Sequence, residues 1–135
     1  MVQIITGVVL ILHGLVHLLY FGQSARFFSL KPDLAWPEGS WAFSKLLGDH
    51  GTRTLASALL VLAATGFIIG ALGIFFAQPW WRPVIISSAV LSAGLYVFFW
   101  NGRWEHLDNQ GGIGILIDGA ILVAVLGLGW PKLDF

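Results

Sequence analysis

Four long apolar runs dominate this chain and leave little room for any fold but a helical one in lipid. They are Val2–Phe21, Thr54–Phe76, about Pro83–Trp100, and Gly111–Trp130, each near the roughly 20 residues a helix needs to cross a bilayer. The runs are continuous rather than alternating, so strands are no competitor, and four strands cannot close a barrel in lipid. Of the 135 residues, 57% are hydrophobic and 10% charged, whereas a soluble domain carries about 25% charged residues. A chain this short and apolar cannot hide its hydrocarbon inside a water-soluble globule. The reading is an all-α membrane protein: a single domain over residues 1–135, folded as a four-transmembrane-helix bundle.

The run ends carry aromatics where headgroups lie: Trp80 and Trp81, Trp100 and Trp104, and Trp130 before Pro131. Small residues mark packing faces, with Gly66, Gly70 and Gly73 on the second run and Ser88 and Ser92 on the third. The first run lacks the basic flank of a secretory signal and exceeds a typical signal core, which predicts a retained helix. Cysteine is absent, excluding disulfides and thiolate chemistry, and seven basic against seven acidic residues give nothing a nucleic acid would seek. Arg26, Lys31, Lys45, Arg53 and Arg103 flank the first and third connections, against Arg82 and Lys132 on the other side. That bias predicts both termini outside and the first connection in the cytoplasm.

The first connection, about Gly22 to Arg53, is long and aromatic-rich, with Phe27, Phe28, Trp36, Trp41 and Phe43. Residues 40–48 read as a short amphipathic helix in the interface. A loop of this length serves as a lid or binding element, or as a belt across the bundle end.

Against this background His13, His17 and Asp118 stand out. An ionisable group at membrane depth costs about 3 kcal/mol or more unless paired or hydrated, which makes it a functional candidate. His13, His17 and Tyr20 fall at i, i+4 and i+7, on one helical stripe. Asp118 lies about seven residues into the fourth run, roughly 10 Å deep. That is the level of the histidines if the first and fourth spans pair antiparallel. Arg53, Tyr96, Asn101, Glu105 and His106 belong to the same end, so the sequence predicts a pocket polar toward the long connection and dry at the other end.

Several chemistries suit such a set. Two histidines and a carboxylate can hold a divalent metal. A bis-histidine haem wants ligands from two helices, and only the first span carries histidine, so haem fits poorly. Without metal, a histidine–aspartate pair can act as general acid and base. Tyr20, Tyr96, Asn101, Arg53, Glu105 and His106 would then help line a site for an amphiphile such as a quinone, an isoprenoid or a lipid. The competing reading is an interhelical clamp in a non-catalytic accessory subunit, bound to a membrane-protein partner or to further copies of itself.

The stretch Leu12-His13-Gly14-Leu15-Val16-His17-Leu18 resembles a group of small bacterial four-helix membrane proteins that open with an HGxxH first span. Trp80-Trp81-Arg82-Pro83 and Phe98-Phe99-Trp100 resemble the same group. More distantly, the first span is similar to the DoxX-like family, whose basic residue after the HG motif is replaced here by the nearby His17. The resemblance implies a four-helix bundle in a bacterial inner membrane and, through some DoxX-like members, a link to quinone-dependent oxidoreductases.

Overall fold

The computed structural model describes residues 1–29, 36–106 and 111–135, apart from the His106 side chain. The described residues fold into four helices with no strand among them. These are α1 (Val2–Ser24), α2 (Ser44–Phe75), α3 (Trp81–Phe98) and α4 (Ile113–Leu122), the last continuing as a π-helical turn over Val123–Gly127. A 3-10 turn, Trp104–His106, stands between α3 and α4.

α1, α2 and α3 are each long and apolar enough to cross a membrane. The fourth helical stretch, Ile113–Gly127, is shorter than the sequence predicts. Its 15 residues rise only about 22 Å, because Gly129 at φ +61° and then Pro131 turn the chain away. α2 departs in the opposite sense and starts at Ser44. Residues Ser44–Leu47 make one helical turn, and Gly48, at φ +71°, bends the chain into the helix proper. The predicted interfacial helix is thus reduced to that turn, with Leu46 exposed on it and Trp41 exposed just before it.

α1 shows why these helices suit lipid. Its buried face holds Thr6, Gly7, Leu10, His13, Gly14 and His17, while Ile4, Leu12, Val16 and Leu19 point outward. The helix is more polar inside than out, the reverse of a helix that meets water.

Each helix packs beside its predecessor, α1 on α2, α2 on α3, and α3 on α4. The α2–α3 contact uses the small-residue face foreseen in the sequence. A Cβ on Gly66 would strike Ser88, and one on Gly70 would strike Ile85, so glycine sets the distance between the helices. The first and last helices, expected to pair, are bridged by side chains and do not pack closely. Among the described residues, α1 and α4 approach nowhere within 8 Å, Cα to Cα. The bundle is a row curled on three sides and open on the fourth.

The described residues 36–43 of the first connection cross the end of α1–α3 as a strap. Ser40 Oγ donates to the Phe98 carbonyl at 2.7 Å, Trp41 Nε1 to Val97 at 2.7 Å, and the Trp41 amide to Trp100 at 3.0 Å. Arg26 donates to the carbonyls of Gln23, Trp36 and Pro37. Held this way, Trp36 is wholly buried and packs on Tyr20, Tyr96 and Phe99. Lys31 lies outside the described residues.

Candidate functional site

One turn of α1 supplies both histidines, and the neighbouring helices bring their partners. His13 Nε2 is 2.8 Å from Asp118 Oδ1, across the gap between α1 and α4. His17 lies one turn further on and spans between two groups. Its Nδ1 is 2.8 Å from the His13 carbonyl, and its Nε2 is 2.6 Å from Ser92 Oγ on α3. Ser92 Oγ is in turn 2.5 Å from Asp118 Oδ2. His17, Ser92 and Asp118 have no exposed surface, and His13 is 5% exposed. Phe67 of α2 completes the enclosure, its ring centroid 4.7 Å from His13 and 5.3 Å from His17.

The atoms that meet determine where hydrogens sit. A carbonyl only accepts, so His17 donates from Nδ1 to His13. Two contacts then remain, His17–Ser92 and Ser92–Asp118, and the serine hydroxyl has one hydrogen for both. A second hydrogen must come from His17 Nε2, giving an imidazolium and a carboxylate, or from Asp118 Oδ2, giving a neutral histidine and a carboxylic acid. Either way the four side chains together carry no net charge. That neutrality suits low dielectric, where an unbalanced charge is expensive. The two forms differ only in where the hydrogens sit along the Ser92 hydroxyl.

A metal is the other chemistry this set admits. One ligand atom from each of His13, His17 and Asp118 lies within 4.8 Å of the others, close enough to share one divalent ion. The His17 Nδ1–H on a carbonyl is the outer support that metal-bound histidines commonly have. An ion would have to displace the shared proton and the direct bonds among its ligands.

The other residues singled out in the sequence divide by position. Tyr96 and Tyr20 stack beyond the network, Tyr96 5.8 Å from the His17 ring and 5.3 Å from Tyr20. Gly111 and Gly114 leave room for the Tyr96 ring, which a Cβ at either would hit, and Gly111 sits at φ +97°. With Trp36 and Phe99 these rings form a layer over the network. The end facing the long connection is therefore filled with aromatics rather than opened as the predicted polar pocket. Arg53 turns to Asp49 at 3.0 Å, Asn101 accepts from the Arg103 amide at 2.9 Å, and Glu105 is exposed. These three stand at the bundle rim, and the His106 side chain lies outside the described residues. Ser92 is the member that sequence reasoning missed. It lies one turn above Tyr96 on the polar side and is absent from the predicted site residues, although its level beside His17 and Asp118 follows from the same count along the helix.

The opening lies in the other half. A crevice of about 370 Å³ separates α1 from α4, with Trp81 and Ile85 of α3 as its floor. Its walls include Val9 and Leu10, one turn from His13 on the same face, and Ile117 and Ile121, which flank Asp118. Thr6 also lines it, and the Thr6 hydroxyl is buried without a hydrogen-bond partner. The volume falls within the range of small-molecule sites, about 300–1,000 Å³.

No family model matches the sequence, and no curated protein or solved structure matches it. The functional reading accordingly rests on these residues and their geometry.

Proposed function

We propose that this chain is a four-span protein of a bacterial inner membrane that binds or transforms a lipophilic small molecule. The molecule reaches the site sideways from the bilayer, through the α1–α4 crevice. Its polar head meets His13 at the edge of the network, and its hydrocarbon lies against Leu10, Ile85 and Ile121. One observation carries the reading: a buried, hydrogen-bonded set of four polar side chains stands one helical turn above an apolar crevice. Quinones, isoprenoids and membrane lipids have this division into head and tail. His17, Ser92 and Asp118 would supply or remove the proton as the head is bound or altered. The charge bias supports an orientation with both termini outside and the strap in the cytoplasm.

A second reading has its own observation. α4 packs along α3 alone, which leaves the open side for a partner helix or another copy of the chain. The protein would then be a non-catalytic accessory subunit, with the His13–Asp118 bond as a clamp.

Native mass spectrometry of protein purified from its own membranes separates the two. The binding reading expects a stoichiometric lipophile, lost in Ala120→Trp, which fills the crevice wall. A particle holding a second polypeptide and no lipophile would overturn it.

A further inference from the structure

We infer that the lipophile bears a hydrogen-bond-donating head, a hydroxyl on a hydrocarbon tail, and gives its O–H hydrogen to Nδ1 of His13. This rests on the binding reading above and narrows it to one ligand chemistry: isoprenoid alcohols and alkyl phenols fit, whereas ketones, quinones and esters do not.

The count of hydrogens leads there. Asp118 Oδ2 already shares the hydrogens of the serine chain. Oδ1, 2.8 Å from His13 Nε2, is left as an acceptor, so His13 carries its hydrogen on Nε2 and its lone pair on Nδ1. Among the described residues, no hydrogen bond engages Nδ1. His13 is also the one member of the network that is not fully sealed, at 5% exposed against 0% for His17, Ser92 and Asp118. We take that nitrogen as the acceptor the network offers, one helical turn from the Val9 and Leu10 wall of the crevice. A quinone carbonyl has no hydrogen to give it; a hydroxyl does.

The crevice explains why the head must decide. Val9, Leu10, Ile85 and Ile121 make its upper walls and floor hydrocarbon. A tail leaving the bilayer for these walls exchanges one apolar surroundings for another and gains little. Selection then falls to the hydrogen bond at the head, made where water does not compete. At the far end, Thr6 stands seven residues from His13 on the same stripe, about 10 Å along the axis. Thr6 lines the crevice and its hydroxyl is buried without a hydrogen-bond partner, so it supplies the control.

The test uses the full chain in nanodiscs and two probes that differ only at the head, 4-decylphenol and 4-decylanisole. Bound probe is measured by equilibrium partitioning against empty nanodiscs. The phenol is expected to bind about tenfold more tightly than the anisole. That preference should vanish in His13→Ala and persist in Thr6→Val. Equal binding of both probes to the wild-type chain would overturn the donor requirement and leave the binding reading standing. A preference lost in Thr6→Val but kept in His13→Ala would place the head at the wrong end and overturn the inference. Neither probe exceeding the empty-disc background would defeat the binding reading itself, as would a larger particle in which a second protein excludes both.

Discussion

Toward the long connection the bundle is filled: the strap, the Trp36–Tyr20–Tyr96–Phe99 rings and the hydrogen-bonded network leave that end shut. Toward the α2–α3 turn it is split, and α1 and α4 face each other across an apolar crevice. The same two helices border both regions. In the filled half a single hydrogen bond, His13 to Asp118, joins them; in the other half the crevice keeps them apart. The contrast teaches that the polar residues do not line an opening of their own. They form a closed hydrogen-bonded unit whose least sealed member, His13, stands one helical turn from an apolar crevice.

Breaking the filled half should have the largest effect on stability. Trp36 is wholly buried, and Trp36→Ala is expected to cost about 3–5 kcal/mol. It should lower the unfolding midpoint in detergent while leaving lipophile binding in the split half intact. Loss of binding in step with stability would show that the two halves act as one.

The junction between the halves comes next. Asp118→Ala strands His13 and Ser92, at an expected cost of about 1–2 kcal/mol. Asp118→Asn sharpens the point. Its carbonyl can accept from His13 and its amide can donate to Ser92, whose hydroxyl then donates to His17. Every bond is kept, so the expected stability change is within about 0.6 kcal/mol, although the shared proton is gone. Thermal unfolding of the pair checks the hydrogen count, and an Asn variant as weak as the Ala variant would refute it.

At the rim the effect should be smallest. Arg53 and Asp49 form a solvent-facing i, i+4 pair, and Arg53→Ala should change stability by under about 0.5 kcal/mol and binding not at all. A loss of binding in Arg53→Ala would bring the rim back into the site.

Some of this organisation could be read from the chain. Helices follow from the length of apolar runs, and depth follows from a fixed rise per residue, which is why His13, His17 and Asp118 fall level. Rotation about the helix axis and the gaps between helices have no such rule. The level of Asp118 was therefore legible, while its double engagement with His13 and Ser92 was not. Serine is common in membrane helices, so Ser92 gave no signal beyond its position. The crevice is a missing contact, which no motif encodes. Trp36 looked merely greasy within a long loop, and only the bonds from Arg26 and Ser40 show how the strap seats it. The fourth helix is shorter than its apolar run because Leu128 and Trp130 extend that run past Gly127, the last helical residue.

Photolabelling tests the proposed site most directly, using 4-decylphenol with a diazirine at the end of its chain. With the head at His13 and the tail in the crevice, label should concentrate on Ile5–Leu10 and Ala120–Trp130. It should be displaced by excess unlabelled probe and be absent from Ala120→Trp. Label spread evenly over the outward faces at Leu12, Leu15 and Leu19, and indifferent to competitor, would contradict a site in the crevice.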